Sequence, residues 1–186
     1  MYKKFILVGG YCATGKSTFS RRLSQRLGWL CLNKDTLKEV VADTLTDLIP
    51  REYNAPLSVT ATRLMIHAAE RSMLAGQPLI LESNFRPREV AELGTLAEAS
   101  GYECLTYVFT GDLRVIYDRY FAREGTTERH WVHKSVKGEG FETFAQGHRQ
   151  FGEIELGQTV PVDATDFTSV DYEGLFQVAE GFAANK

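Results

Sequence analysis

Gly10-Tyr11-Cys12-Ala13-Thr14-Gly15-Lys16-Ser17 stands between an apolar run, Phe5–Val8, and a helical pattern, Lys16–Leu27, and fits GxxxxGK[ST], the Walker A or P-loop pattern. The two glycines permit a tight turn, and the N–H groups at the helix start are free to face phosphate oxygens. Lys16 brings a positive charge for the β and γ phosphates. Ser17 is placed to ligate a Mg²⁺ ion bridging them, and Thr18 adds a second hydroxyl. All nine residues from Gly10 to Thr18 are therefore nucleotide-binding candidates, with Lys16 also catalytic and Ser17 also a metal ligand.

On either side of this loop, short apolar runs alternate with longer helical patterns, as parallel strands joined by crossover helices require. Strands are predicted at Lys4–Val8, Trp29–Leu32, Pro78–Glu82, Glu103–Phe109 and Thr159–Val162. Helices are predicted at Lys16–Leu27, Thr36–Leu48, Leu57–Leu74, Arg88–Ser100, Leu113–Arg123 and Asp171–Phe182, with one more at Phe141–Phe151. In the first of these, Phe19, Leu23 and Leu27 recur every four residues and make one apolar face. The pattern predicts a three-layer α/β fold with a five-stranded parallel sheet, in a single domain over residues 1–186.

The chain's 186 residues are 44% apolar and 24% charged, an ordinary globular mix. A net charge of −3 argues against a broad nucleic-acid footprint and for a small-molecule partner. No apolar run reaches the length of a membrane span, and Phe5–Val8 is too short for a signal peptide. Cys12, Cys31 and Cys104 are odd in number and widely spaced, which suits reduced thiols and a cytoplasmic location. Cys12 reads as a loop residue rather than a redox sensor.

Two acids end predicted strands at the sheet edge where open α/β folds place ligands. Asp35 follows Leu32-Asn33-Lys34 and is a candidate base for an attacking hydroxyl; the alternative is that it caps the helix beginning at Thr36. Glu82 ends Leu79–Glu82 and is a candidate Mg²⁺ holder in the Walker B role, preferred over Asp112 and Asp163 because Ser83, Asn84 and Phe85 follow it. Asn33-Lys34-Asp35-Thr36 does not serve as a guanine-reading NKxD, since Thr36 stands where Asp is needed.

The basic residues Arg114, Arg119, Arg123 and Arg129 cluster in and after one predicted helix, with Arg119 and Arg123 on one face. They are expected to contact phosphate or adenine: Arg119 the nucleotide, Arg123 and Arg129 the transferring group. The polar stretch Gly125–Gly140 has no core pattern and is expected to form a lid within residues 124–141. His130 and His133, without cysteines nearby, make a weak zinc signal. Trp131 is expected to pack in that lid, and His148 has no special claim to catalysis.

Gly10–Thr18, Asn33-Lys34-Asp35, Leu79–Asn84 and Arg119–His133 together resemble the AAA-domain-like P-loop small-molecule kinases related to zeta toxins and chloramphenicol phosphotransferase. The resemblance implies a doubly wound sheet ordered 2-3-1-4-5, an arginine-bearing lid, and transfer of the γ-phosphate of ATP, with Mg²⁺, to a small-molecule hydroxyl. Glu82 departs from the Asp usual at its position, and Tyr11 from a frequent Pro. The rival expectation is an ATP-hydrolysing switch acting through a partner, for which the chain carries no evident partner module.

Overall fold

The computed structural model describes residues 3–45, 48, 54–123, 126, 129–133 and 140–185. Its centre is β1 (Lys4–Gly10), where Phe5 and Leu7 face one way and Ile6 and Val8 the other, all four without exposure. A strand apolar on both sides needs a cover on both sides. On the Phe5 side that cover comes from α3 (Asn54–Leu74), with Met65, Ile66, Ala69 and Met73, and from α4 (Pro87–Ser100), with Val90, Leu93 and Ala97. On the Ile6 side it comes from Phe19 and Leu23 of α1 (Lys16–Leu27) and Phe176 and Ala179 of α7 (Tyr172–Ala184). Phe19 stacks on Phe176 with centroids 5.1 Å apart and meets Tyr107 edge-on at 5.0 Å, so aromatic packing fixes α1 against the sheet.

The sheet is parallel and five-stranded, in the order β2-β3-β1-β4-β5, where β2 is Leu30–Asn33, β3 Leu79–Glu82, β4 Glu103–Thr110 and β5 Gln158–Asp163. This is the 2-3-1-4-5 order that the resemblance implies. The register pairs Val8 with Glu82 and Glu82 with Asn33, which sets the ends of β1, β3 and β2 side by side. The edge after those ends is where the loops gather.

Some boundaries differ from the sequence reading. The second helix, α2, runs Lys34–Thr44, starting two residues early and ending before Leu48. Its cap is Asn33, whose side chain accepts from Thr36 N at 2.9 Å, so Asp35 lies inside the first turn and is not the cap. The fifth helix, α5, covers Leu113–Ala122 and stops one residue short of Arg123. Trp131–His133 form a short 3₁₀ turn, and α6 (Phe141–Arg149) packs Phe144 among Tyr117, Tyr120 and Phe121 of α5. Of the segment 124–141 expected to form the lid, residues 124, 125, 127, 128 and 134–139 lie outside those described.

Candidate active site

The loop between β1 and α1 holds its shape through glycine geometry and a web of carbonyl contacts. Gly10 has φ 114°, and a Cβ there would stand 2.0 Å from the Phe109 carbonyl oxygen, so only glycine fits. Tyr11 N donates to that same oxygen at 2.8 Å, tying the loop to β4. The Tyr11 carbonyl in turn accepts from Thr14 Oγ1 at 2.8 Å and from Lys16 Nζ. Gly15, at φ 83°, precedes α1, and no side chain caps that helix. Its first N–H groups are thus left for a ligand.

Lys16 is 5% exposed, and burial pulls its ammonium below the ordinary lysine value while Glu82 pushes back. Glu82 is equally buried; desolvation raises its carboxyl to about 7, with Lys16 opposing. Asn33 Nδ2 donates to Glu82 Oε2 and lies 3.4 Å from Ser17 Oγ. A hydroxyl and a buried carboxyl converging beside the loop make a hard-oxygen donor set, which fits Mg²⁺. The other acids weighed for this role are occupied elsewhere: Asp112 caps α5 through Arg114 N and Val115 N, and Asp163 accepts from Thr165 N.

Across the cleft stands α2. Asp35 opens onto the cleft, with Lys34 Nζ at 3.2 Å. Its surroundings raise its carboxyl by burial, but Lys34, His133 and Lys16 outweigh that and hold it below the usual range, so it is ionised at neutral pH. The Trp131–His133 turn is bound to this helix by three contacts: His133 Nε2 to Glu39 Oε1 at 2.9 Å, His130 Nε2 to Asp43 Oδ1 at 2.9 Å, and Lys38 Nζ to Val132 O at 3.2 Å. Val132 is buried with Ala42 and Leu57, and Trp131 packs against this small cluster. The two histidines therefore pair with carboxylates of α2.

The four arginines do not act as one group. Arg114 lies over the Phe141 ring at 3.6 Å, away from the cleft. Arg119 donates to the carbonyls of Ala164 and Thr165, both at 2.5 Å, and lies over Phe167 at 4.0 Å. A Cβ on Gly15 would meet Phe167 at 3.5 Å and Tyr172 at 3.6 Å, so Arg119, over the Phe167 ring, stands near the Gly15 end of the loop. Arg123 and Arg129 do line the cleft. Arg129 donates to Tyr120 O at 3.2 Å and His133 O at 2.7 Å and covers the Tyr120 ring. Arg123 follows Ala122 with helical backbone angles and lines the cleft, whereas the Arg119 guanidinium is turned to the Ala164 and Thr165 carbonyls.

These parts enclose a cleft of about 510 Å³. Cys12 through Thr18, Asp35, Glu82, Arg123 and Arg129 all line it. Gly10 and Tyr11 serve from behind, through backbone, and the Tyr11 ring packs toward Gly152. Among the lining residues to which the sequence reading gave no role in the site are Asn33, as cap and bridge, Lys38, Glu39, Tyr120 and His148. A cap was legible in Asn33 standing three residues before Thr36; nothing local marked His148. Its Nδ1–H donates to Phe144 O at 2.7 Å, which leaves Nε2 to accept from the Cys12 thiol at 3.2 Å. Burial pushes that thiol up to about 11, so it stays protonated, as a loop residue should.

Comparison with known proteins agrees with this geometry. The profile of the family described as AAA domain matches residues 5–146, well over half of the chain. A presumed kinase from Chloroflexus aurantiacus J-10-fl is similar at 26% identity and TM-score 0.83, covering 97% of this chain and 98% of that one. More distant are a gluconokinase from Sinorhizobium meliloti 1021, at 16% identity, TM-score 0.56 and 99% of both chains, and a shikimate kinase from Bacteroides thetaiotaomicron, at 12%, 0.58, and 96% of this chain and 97% of that one. Those two share the fold. A search of curated proteins finds no match.

Proposed function

Because the chain belongs to the AAA domain family, we propose that it is an ATP-dependent phosphotransferase acting on a hydroxyl of a small molecule. The observation that carries this reading is that the phosphate loop, the Ser17–Glu82 pair and the Asp35 carboxylate open onto one cleft. A phosphate-binding loop alone supports hydrolysis as well as transfer; an ionised carboxylate facing it, with room between, supports an acceptor.

In this reading the loop N–H groups and Lys16 hold the triphosphate of ATP, and Arg119 with Phe167 borders the base. Ser17 and Glu82 would hold Mg²⁺, which supplies charge neutralisation on the β and γ phosphates when bound. Asp35 accepts the proton of the attacking hydroxyl. The hydroxyl oxygen bonds to the γ phosphorus, the bond from that phosphorus to the β–γ bridging oxygen breaks, and ADP leaves. Arg123 and Arg129 stand on the cleft wall where negative charge spreads during transfer.

Incubation with γ-labelled ATP, Mg²⁺ and a chemically broad metabolite panel tests this directly. A labelled organic product is expected. Release of inorganic phosphate alone, at a rate no acceptor changes, would instead favour the hydrolase reading.

A further inference from the structure

Asp35, Glu39 and Asp43 recur every four residues along α2 and so make one acidic face of that helix. The Trp131–His133 turn lays its two imidazoles on this face, with ring centroids 6.1 Å apart. His130 meets Asp43, and His133 meets Glu39, which places His133 at the end of the face that carries Asp35. Asp35, Glu39 and His133 all line the cleft.

The two histidines use their rings differently. His130 spends both nitrogens within the chain, Nε2 on Asp43 and Nδ1 as acceptor from Val132 N at 3.2 Å. In His133, Nε2 stands 2.9 Å from Glu39 Oε1; a carboxylate accepts, so Nε2 carries the hydrogen and donates it. That bond fixes the tautomer and puts the lone pair of the neutral ring on Nδ1. Burial lowers the imidazole below the ordinary histidine value, and of the charges around it Asp35 acts most strongly, ahead of Lys38 and Glu39. The ring is therefore neutral at neutral pH and within electrostatic reach of Asp35. Burial raises Asp35 in turn, but Lys34, His133 and Lys16 more than reverse it, so this carboxylate meets a hydroxyl readily and keeps a proton poorly.

Building on the phosphotransferase reading above, we propose that His133, oriented by Glu39, receives from Asp35 the proton of the attacking hydroxyl. As the hydroxyl oxygen bonds to the γ phosphorus, its proton passes to the Asp35 carboxylate and on to Nδ1 of His133. The imidazolium so formed faces the charges of two α2 carboxylates and afterwards gives the proton to solvent. Asp35 is left ionised for the next turnover. Glu39 touches no reacting atom; it is a positioning residue that keeps the lone pair on Nδ1.

The test follows single-turnover transfer from γ-labelled ATP, with Mg²⁺, across the range in which histidine titrates. The acceptor is the compound that the metabolite panel labels most, or water if it labels none. His133→Gln keeps a donor for Glu39 but cannot take up a proton. It should lower the transfer rate at neutral pH by about 10²-fold with ATP affinity near wild type. The wild-type rate should fall in acid as Nδ1 becomes occupied, and His133→Gln should lose that limb. Glu82, which burial raises to about 7, titrates in every variant, and the neighbouring Lys34, Lys38, Asp43, His130 and Arg129 are common to all, so the difference between profiles reads His133. Glu39→Gln still accepts from Nε2 but removes a charge that raises the imidazole, and should move the limb further into acid. An unchanged acid limb in His133→Gln overturns the inference and leaves the phosphotransferase reading standing. If His133→Gln has lost ATP affinity, an unshifted limb in Glu39→Gln overturns it instead. Transfer to water alone overturns the phosphotransferase reading, and the same profiles, read on hydrolysis, still judge the proton route.

Discussion

The two walls of the cleft are built on different principles. The phosphate wall is one contiguous segment, β1, loop and α1, backed by the aromatic cluster of Phe19, Tyr107, Phe109 and Phe176 and closed by a backbone contact at Gly10 that excludes any side chain. The opposite wall joins α2 to a turn 94 residues away along the chain, through histidine–carboxylate hydrogen bonds, one lysine–carbonyl bond and the small cluster around Val132. The first is rigid because its packing leaves no alternative; the second is held by contacts that are individually weak and partly exposed. The phosphate loop is tied into the sheet, whereas the polar pairs of the opposite wall lie outside it.

The sharpest way to break this contrast is at Lys16. Lys16→Ala is expected to abolish measurable transfer and productive ATP binding while circular dichroism and unfolding midpoint stay near wild type; a variant that still turns over ATP normally would remove Lys16 from the site. On the opposite wall, Asp35→Asn should lower kcat by about 10² to 10⁴ and leave ATP affinity nearly unchanged. Since Asn33 is the cap, this substitution should not cost the stability a lost cap would. A drop in unfolding midpoint with normal kcat would contradict that division of labour.

Glu82 sharpens the comparison from the phosphate side. Its carboxyl titrates near 7 in the folded chain against 4.5 in the free side chain, so the folded state holds the proton more tightly. The contribution to stability is complete below about pH 4.5 and is lost as pH rises through 7, up to about 3 kcal/mol by linkage. Urea midpoints of metal-free protein should therefore fall between pH 6 and pH 8, and Glu82→Gln should flatten that slope. An identical slope in the variant would place the titration elsewhere. The smallest effect is expected at Val132→Ala, about 1–2 kcal/mol of lost burial. It should raise acceptor KM while ATP affinity holds, and a parallel loss of both would mean that the walls are not independent.

How legible each wall was in the sequence follows from the same difference. β1, the loop and α1 carry their signals locally, in a short apolar run, glycine spacing and a four-residue apolar repeat, so Gly10–Ser17 was readable as the loop between strand and helix and Lys16–Leu27 as a helix to the residue. Glu82 was readable too, because strand ends in this fold class converge at one edge. Asp35 lines the cleft, but the capping role weighed as its alternative falls to Asn33, since the helix begins at Lys34, two residues earlier than the apolar pattern suggests. The pairing of His133 with Glu39 and of Lys38 with Val132 had no local signal at all, being contacts between segments remote in sequence. The arginines looked like one cluster because helical spacing says nothing of the remote partners that divide them: Arg119 goes to the Ala164 and Thr165 carbonyls and Arg114 to the Phe141 ring.

Asn33 belongs to both walls at once. Its Oδ1 holds the first turn of α2 while its Nδ2 reaches Glu82 and Ser17. One planar amide thus joins the first turn of α2 to the Glu82 carboxyl and the Ser17 hydroxyl. Asparagine is the residue that does this: aspartate in its place would keep the cap but set a second carboxylate against Glu82, turning a tie between the walls into a repulsion.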